Sequence, residues 1–261
     1  MKHLSLLGRL LPVLALVAVA VGLGAAGADA KGTARACKHP DFVLSGNDGG
    51  RSVGKYYYAD NNMWNAGGYN MSQSMRVCSA GNWAVTARAD NSSGDGAVKS
   101  YPNVHRDYHN WGNGHEPKIS SFASLKSQFA SRSPHVGIYN GAYDIWLNGV
   151  ADSNSTELMI WTDNYRQRPS GRVVAKGIQF SNRTWKLWSS DNNHYLAFVA
   201  NKPLGHGTIS LKKRMTYLMS HGYLPQGSTV GQVDFGYEIV STGGKAHTFK
   251  IDRFSVTSRM K

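Results

Sequence analysis

The sequence predicts an all-β fold, an antiparallel sandwich or barrel carrying one short helix, on three observations. Apolar residues recur mostly with period two, Gly, Asn and Ser crowd the gaps between apolar segments, and one stretch alone shows a helical repeat. Successive side chains of a strand point to opposite faces, so short period-two segments separated by turn formers read as half-buried strands.

In chain order, the predicted strands begin with 54–60, where three tyrosines follow a glycine, and 83–90, where Trp, Ala, Val and Thr alternate into an Asp. Next come 142–148 and 157–162, the two most apolar, and 183–188 and 194–200, which pair Trp and Leu with Phe and Val. The last is 231–240, an unbroken alternation. The helix is expected over 212–221, because Leu211, Met215, Leu218 and Met219 fall on one face and Gly222 supplies a stop.

Three of these strands carry chemistry on their second face. In 231–240, Val233, Phe235, Tyr237 and Ile239 alternate with Gln232, Asp234, Gly236 and Glu238. In 142–148, Tyr143, Ile145 and Leu147 alternate with Asp144, Trp146 and Asn148; in 157–162, Leu158 and Ile160 alternate with Glu157, Met159 and Trp161. Acids beside indoles and amides suit a sugar cleft, where ring faces stack on aromatics and hydroxyls need polar partners. Cleaving a glycosidic bond takes two carboxyl groups, and Glu157 and Glu238 are the best-placed pair, with Asp144 able to tune one of them. An exposed strand glutamate is most often only solubilising, which is the rival reading.

Composition bounds the rest. Lys2 and Arg9, an apolar run from Leu10 to about Gly24 and Ala28-Asp29-Ala30 read as a secretory leader over residues 1–30, cleaved after Ala30. The run is shorter and more glycine-broken than a membrane anchor of roughly 20 residues. Residues 31–261 are expected to form a single domain, secreted and monomeric. In an exported chain the only two cysteines, Cys37 and Cys78, are expected to pair. The formal charge of +13 becomes +12 once Lys2, Arg9 and Asp29 leave with the leader, so anionic cell-wall polymers are candidate partners. The basic residues are scattered and form no nucleic-acid motif. His105, His109 and His115 stand at irregular spacing without carboxylate support, so no metal is expected, and no cofactor.

The sequence resembles glycoside hydrolase family 12. The resemblance rests on NNMW at 61–64, SYPNV at 100–104, YNGAYDIWLN at 139–148, TELMIW at 156–161 and FGYEIVSTGG at 235–244, with cysteines at 37 and 78 in the positions of the family's N-terminal disulfide. It implies a β-jelly roll of two antiparallel sheets with the substrate cleft on the concave face. It further implies a retaining endo-β-1,4-glucanase acting on cellulose, mixed-linkage β-glucan or xyloglucan. Glu157 matches the family nucleophile, Glu238 the general acid/base and Asp144 the aspartate that supports the nucleophile. Asn62 and Trp64 resemble glycone-side contacts, Met159 lies beside the nucleophile, and Trp111, Trp146 and Trp161 complete the expected substrate-binding set. Two departures stand out. Ile239 and Val240 replace the usual Pro and aromatic after the acid/base, and the loop at 107–114 lacks the cysteines some bacterial members carry. A glucan-binding protein with weak or no catalysis is therefore the alternative reading, and a basic surface-adhesion protein a third.

Overall fold

The computed structural model describes residues 37–47 and 49–261; the leader and its cleavage point lie outside them. Among the described residues the chain forms fifteen strands and one α-helix in two sheets. Strands β1 (Phe42–Ser45), β4 (Met71–Ser79), β5 (Asn82–Ala89), β7 (Phe122–Arg132), β13 (His206–Ser210) and β15 (His247–Met260) make a six-stranded sheet in the order β1-β4-β5-β15-β7-β13. The other nine are β2 (Gly50–Ser52), β3 (Tyr57–Asp60), β6 (Asn103–Asp107), β8 (Ile138–Leu147), β9 (Thr156–Tyr165), β10 (Arg172–Phe180), β11 (Arg183–Ser190), β12 (Tyr195–Ala200) and β14 (Val230–Ser241). Their order is β10-β11-β12-β9-β8-β14-β6-β3-β2. Pairing is antiparallel throughout except between β12 and β9, where Tyr195 lies beside Glu157 in a parallel register.

The expected alternation builds the core. Val233, Phe235, Tyr237 and Ile239 of β14 are fully buried, as are Tyr143, Ile145, Leu147, Leu158 and Ile160 of β8 and β9. Aromatic rings knit the sheets together: Tyr143 and Phe235 from the nine-stranded sheet meet Phe129 and Phe254 from the six-stranded sheet at centroid distances of 5.2–6.3 Å. Such edge and offset contacts add roughly 0.5–1.5 kcal/mol each beyond burial. The helix α1 (Leu211–Ser220) buries Leu211, Met215, Leu218 and Met219 as predicted. It also buries Arg214, whose guanidinium lies 4.5 Å from the ring centroids of both Phe180 and Trp185. Cys37 and Cys78 form the expected disulfide, with Cα atoms 5.6 Å apart, tying the segment before β1 to β4.

Several strands were not evident from periodicity. In β15 the buried set is Phe249 and Ile251, then Phe254 and Val256, because a register shift between Ile251 and Arg253 moves the core face by one residue. In β7 the buried positions Phe122, Leu125, Ser127, Phe129 and Ser131 include two serines. The predicted strand at 54–60 starts only at Tyr57, since Gly54 turns the chain at φ 74° and Val53 N–H donates to the Tyr57 carbonyl.

Candidate active site

Strands β9, β8 and β14 lie side by side near the middle of the larger sheet, and their non-core faces form the floor of an open cleft. Register fixes the order of side chains across that floor. Met159, Asp144, Asp234 and His105 stand opposite one another on β9, β8, β14 and β6, and Glu157, Trp146, Gln232 and Asp107 form the next row. Glu238 lies further along β14, opposite Asn140. The sequence alternation thus becomes a double-sided burial: Leu158 and Ile160 enter the main core, while Ala142, Met159, Trp161 and Ala197 form a second apolar cluster under the cleft.

The cleft has two halves that share Glu157, Glu238 and Trp64. One, a cavity of about 440 Å³, is lined by Asn62, Tyr101, His105, Asp144, Trp146, Gln232, Asp234 and their neighbours. The other is a wider groove lined by Trp161, Tyr195 and the loop Arg166-Gln167-Arg168.

Electrostatics in the cleft are dominated by crowded acids. Burial and repulsion from Glu238 push Glu157 up to about 8. Burial pushes Glu238 up to about 7, against two amide donors that favour its anion: Asn140 Nδ2 and Gln167 Nε2, the latter at 3.1 Å. Both amides donate to Oε2, which leaves Oε1 to carry a proton. Asp144 is held well above the usual carboxylate range by burial and by Glu157, Asp234 and Glu238. Its Oδ1 has no hydrogen-bond partner. Asp234 is raised in the same way and its Oδ1 is likewise unpartnered. Two carboxyls lining one site cannot both ionise cheaply, so the titrations of Glu157 and Glu238 are linked.

Most of the sequence-predicted residues converge. Asn62, Trp64, Asp144, Trp146, Glu157 and Glu238 line the first half, and Trp64, Glu157, Trp161 and Glu238 the second. Asn62 adopts φ 37°, held by its N–H donating to Asp60, and Trp64 is 62% exposed, presenting its indole to the opening. Met159 is different: it is buried beneath the floor, where its sulfur accepts from Trp161 Nε1 at 3.2 Å and from the Tyr195 hydroxyl. It supports the aromatic wall rather than lining it. Trp111 lines neither half; it is exposed on its loop against the ring of His109. His109 does have carboxylate support, contrary to the sequence reading, since its Nδ1 lies 2.7 Å from Glu116. Ile239 and Val240, the departures, line neither half of the cleft: both are fully buried and Ile239 belongs to the main core.

Sequence reasoning missed Asn140, Gln167, Tyr195 and Asp234 as site residues. Asn140 and Asp234 shared the parity of Asp144 and Glu238 and were findable on that ground. Gln167 sits on a loop with no period to reveal it, fixed by reciprocal bonds with Asn164: Gln167 N–H to Asn164 Oδ1 and Asn164 Nδ2 to the Gln167 carbonyl.

The family model for glycosyl hydrolase family 12 matches residues 55–258. No curated protein matches the sequence. Among solved structures, the endoglucanase Cel12A of Rhodothermus marinus is 26% identical with a TM-score of 0.71, covering 84% of this chain and 100% of its own. The xyloglucanase domain of NopAA, a type three effector of Sinorhizobium fredii, in complex with cellobiose, is also 26% identical over 84% of this chain and 100% of its own, with a TM-score of 0.69. A family 12 xyloglucanase of Bacillus licheniformis, at 24% identity and a TM-score of 0.71, covers 84% of this chain and 100% of its own and supports the fold alone.

Proposed function

The chain belongs to glycosyl hydrolase family 12, and from that premise we propose that it is a retaining endo-β-1,4-glucanase, with Glu157 as nucleophile and Glu238 as general acid/base. The observation that carries the reading is the pair of glutamates lining one open cleft, with a third carboxyl, Asp144, on the strand between theirs. Glu157 attacks the anomeric carbon while Glu238 gives its proton to the glycosidic oxygen, which leaves with the acceptor chain. Water then loses a proton to Glu238 and displaces Glu157, restoring both groups. Burial and repulsion from Glu238 leave Glu157 the weaker acid of the two, the reverse of what attack requires. Two donors can correct this: the protonated form of Asp144, through its unpartnered Oδ1, and a hydroxyl of the bound sugar, each stabilising the Glu157 anion. The substrates are β-1,4-linked glucans, namely cellulose, mixed-linkage β-glucan or xyloglucan, met outside the cell by a monomer of one catalytic domain, residues 31–261.

The test separates the two glutamates by role. With Glu157→Ala, azide should restore turnover and give a glycosyl azide of inverted configuration. Glu238→Ala should lose about 10²–10⁴-fold on polymer, keep forming the glycosyl-enzyme from aryl glucosides with good leaving groups, and give azide product of retained configuration. Swapped configurations would reverse the roles, and full activity in both variants would refute the site. Binding of glucan without release of reducing ends would make the protein a lectin-like binder.

A further inference from the structure

The two halves of the cleft differ in the cations they offer. Among the described residues, no Lys or Arg lines the narrower half. Beyond Glu157, Glu238 and Asp144 it holds Asp234, 4% exposed, with Oδ1 unpartnered and no cation beside it. Its histidine, His105, is pushed below its ordinary value by burial and is bonded through Nδ1 to Asn103 Oδ1 at 3.0 Å. A carboxylate-bearing sugar would find no cationic partner there.

The wider half is the reverse. Arg166 and Arg168 line it, both exposed, and neither forms an ion pair with any described carboxylate. They are held rather than loose. Arg166 sits at φ 63° with its guanidinium over Tyr165, and Arg168 lies over Trp188, 5.5 Å from the ring centroid. Between them Gln167 donates to Glu238, so the two cations flank the residue that touches the proposed acid/base. A planar guanidinium presents a fork of donors that matches a carboxylate. The whole molecule adds the same sign, with a formal charge of +13 that would draw a polyanion toward it.

We propose that the acceptor side of the cleft is a subsite for carboxylate-bearing sugars, uronic-acid residues of a β-1,4-linked glucan chain, read by Arg166 and Arg168, while the glycone side admits only uncharged sugars. The inference rests on the glucanase reading, in which Asn62, found in the narrower half alone, marks the glycone side. It fixes the direction of cutting: bonds are cleaved between a neutral glucose on the glycone side and an acid sugar on the acceptor side. A reaction that oxidises C6 of a glucan, or a synthase that inserts glucuronate, would supply such a polymer.

The probe is soluble β-1,4-glucan partly oxidised at C6, compared with unoxidised mixed-linkage β-glucan. After limited digestion, the new reducing ends are labelled and both terminal sugars identified. New reducing ends should be glucose and new non-reducing ends enriched in glucuronate. The double variant Arg166→Gln/Arg168→Gln should lower the ratio of kcat/KM on oxidised to neutral glucan by about ten-fold, since exposed ion pairs contribute up to about five-fold each. Removing two cations from the other sheet, Lys126→Gln/Arg253→Gln, should shift that ratio less than about two-fold, since exposed charges beyond a Debye length are screened. Glucuronate at the new reducing ends, a random distribution, or equal effects of the two double variants would overturn the proposal while hydrolysis of neutral glucan continues. Loss of hydrolysis on both polymers by the unaltered protein would instead strike the glucanase reading.

Discussion

Glu238 receives both of its amide hydrogen bonds on one oxygen, and those bonds act against burial. Each donor stabilises the anion, so deleting one must raise the pKa of the carboxyl. Gln167→Leu should therefore shift the alkaline limb of the kcat/KM profile to higher pH, because the proton that the reaction needs is held longer; a limb that stays or falls in the measured profile contradicts the arrangement. The three acids of the site were legible in the sequence because each sits on a strand whose alternation is unbroken, inside a motif of its own. Gln167 was illegible because its position depends on a turn closed by Asn164 and on the left-handed backbone of Arg166, neither of which has a period. Met159 was legible as a neighbour of Glu157 but not as buried support, since alternation assigns a face and says nothing of depth.

At the level of elements, the same reasoning succeeded where strands are regular and failed where they are not. β9 and β14 read directly, the two shifts of β14 lying at its ends, between Val230 and Gln232 and between Ile239 and Ser241, whereas β15 changes phase at a shift in mid-strand and β10 shifts between Val173 and Ala175 and between Ala175 and Ile178. β7 was masked by chemistry instead: Ser127 occupies a core position because its hydroxyl accepts from the Tyr143 hydroxyl at 2.9 Å, so a polar residue stands where the pattern demands an apolar one. The join of β14 to β6 depends on Gly236, where an added Cβ would lie 2.2 Å from the Pro102 carbonyl oxygen. Backbone cannot move aside cheaply, so Gly236→Ala should destabilise the fold by roughly 1–3 kcal/mol. Thermal unfolding would show it as a lower Tm, and an unchanged Tm would mean that β6 is free to shift.

Across the molecule, the acids of the cleft and the disulfide make separate demands on stability. Glu157 and Glu238 titrate near 8 and 7 against an ordinary value of 4.5, so the folded protein holds protons that the unfolded chain has released. Their contribution is complete below about pH 4.5 and is lost as pH rises through 7 to 8. The Tm should fall between pH 5 and pH 8, and the double variant Glu157→Gln/Glu238→Gln should flatten that slope; an unchanged slope would locate it elsewhere. The disulfide spans 41 residues, for which the chain-entropy argument gives about 4 kcal/mol. Thiol titration of the denatured, unreduced protein should find none free, and reduction should lower the Tm. The basic surface should give adsorption to acidic wall polymers that weakens with salt, since exposed charges are screened beyond about 8 Å at physiological ionic strength. The order of strands sets a timetable as well. β15, the last strand made, lies between β5 and β7, and β14 lies between β8 and β6. Until those segments emerge, neither sheet is continuous and Glu157 lacks Glu238 across the cleft. Long-range pairing of this kind closes slowly, in milliseconds to seconds, so both sheets of a chain still being synthesised stay unclosed. Any route that threads it unfolded through a pore has its time window set by where its last two strands belong.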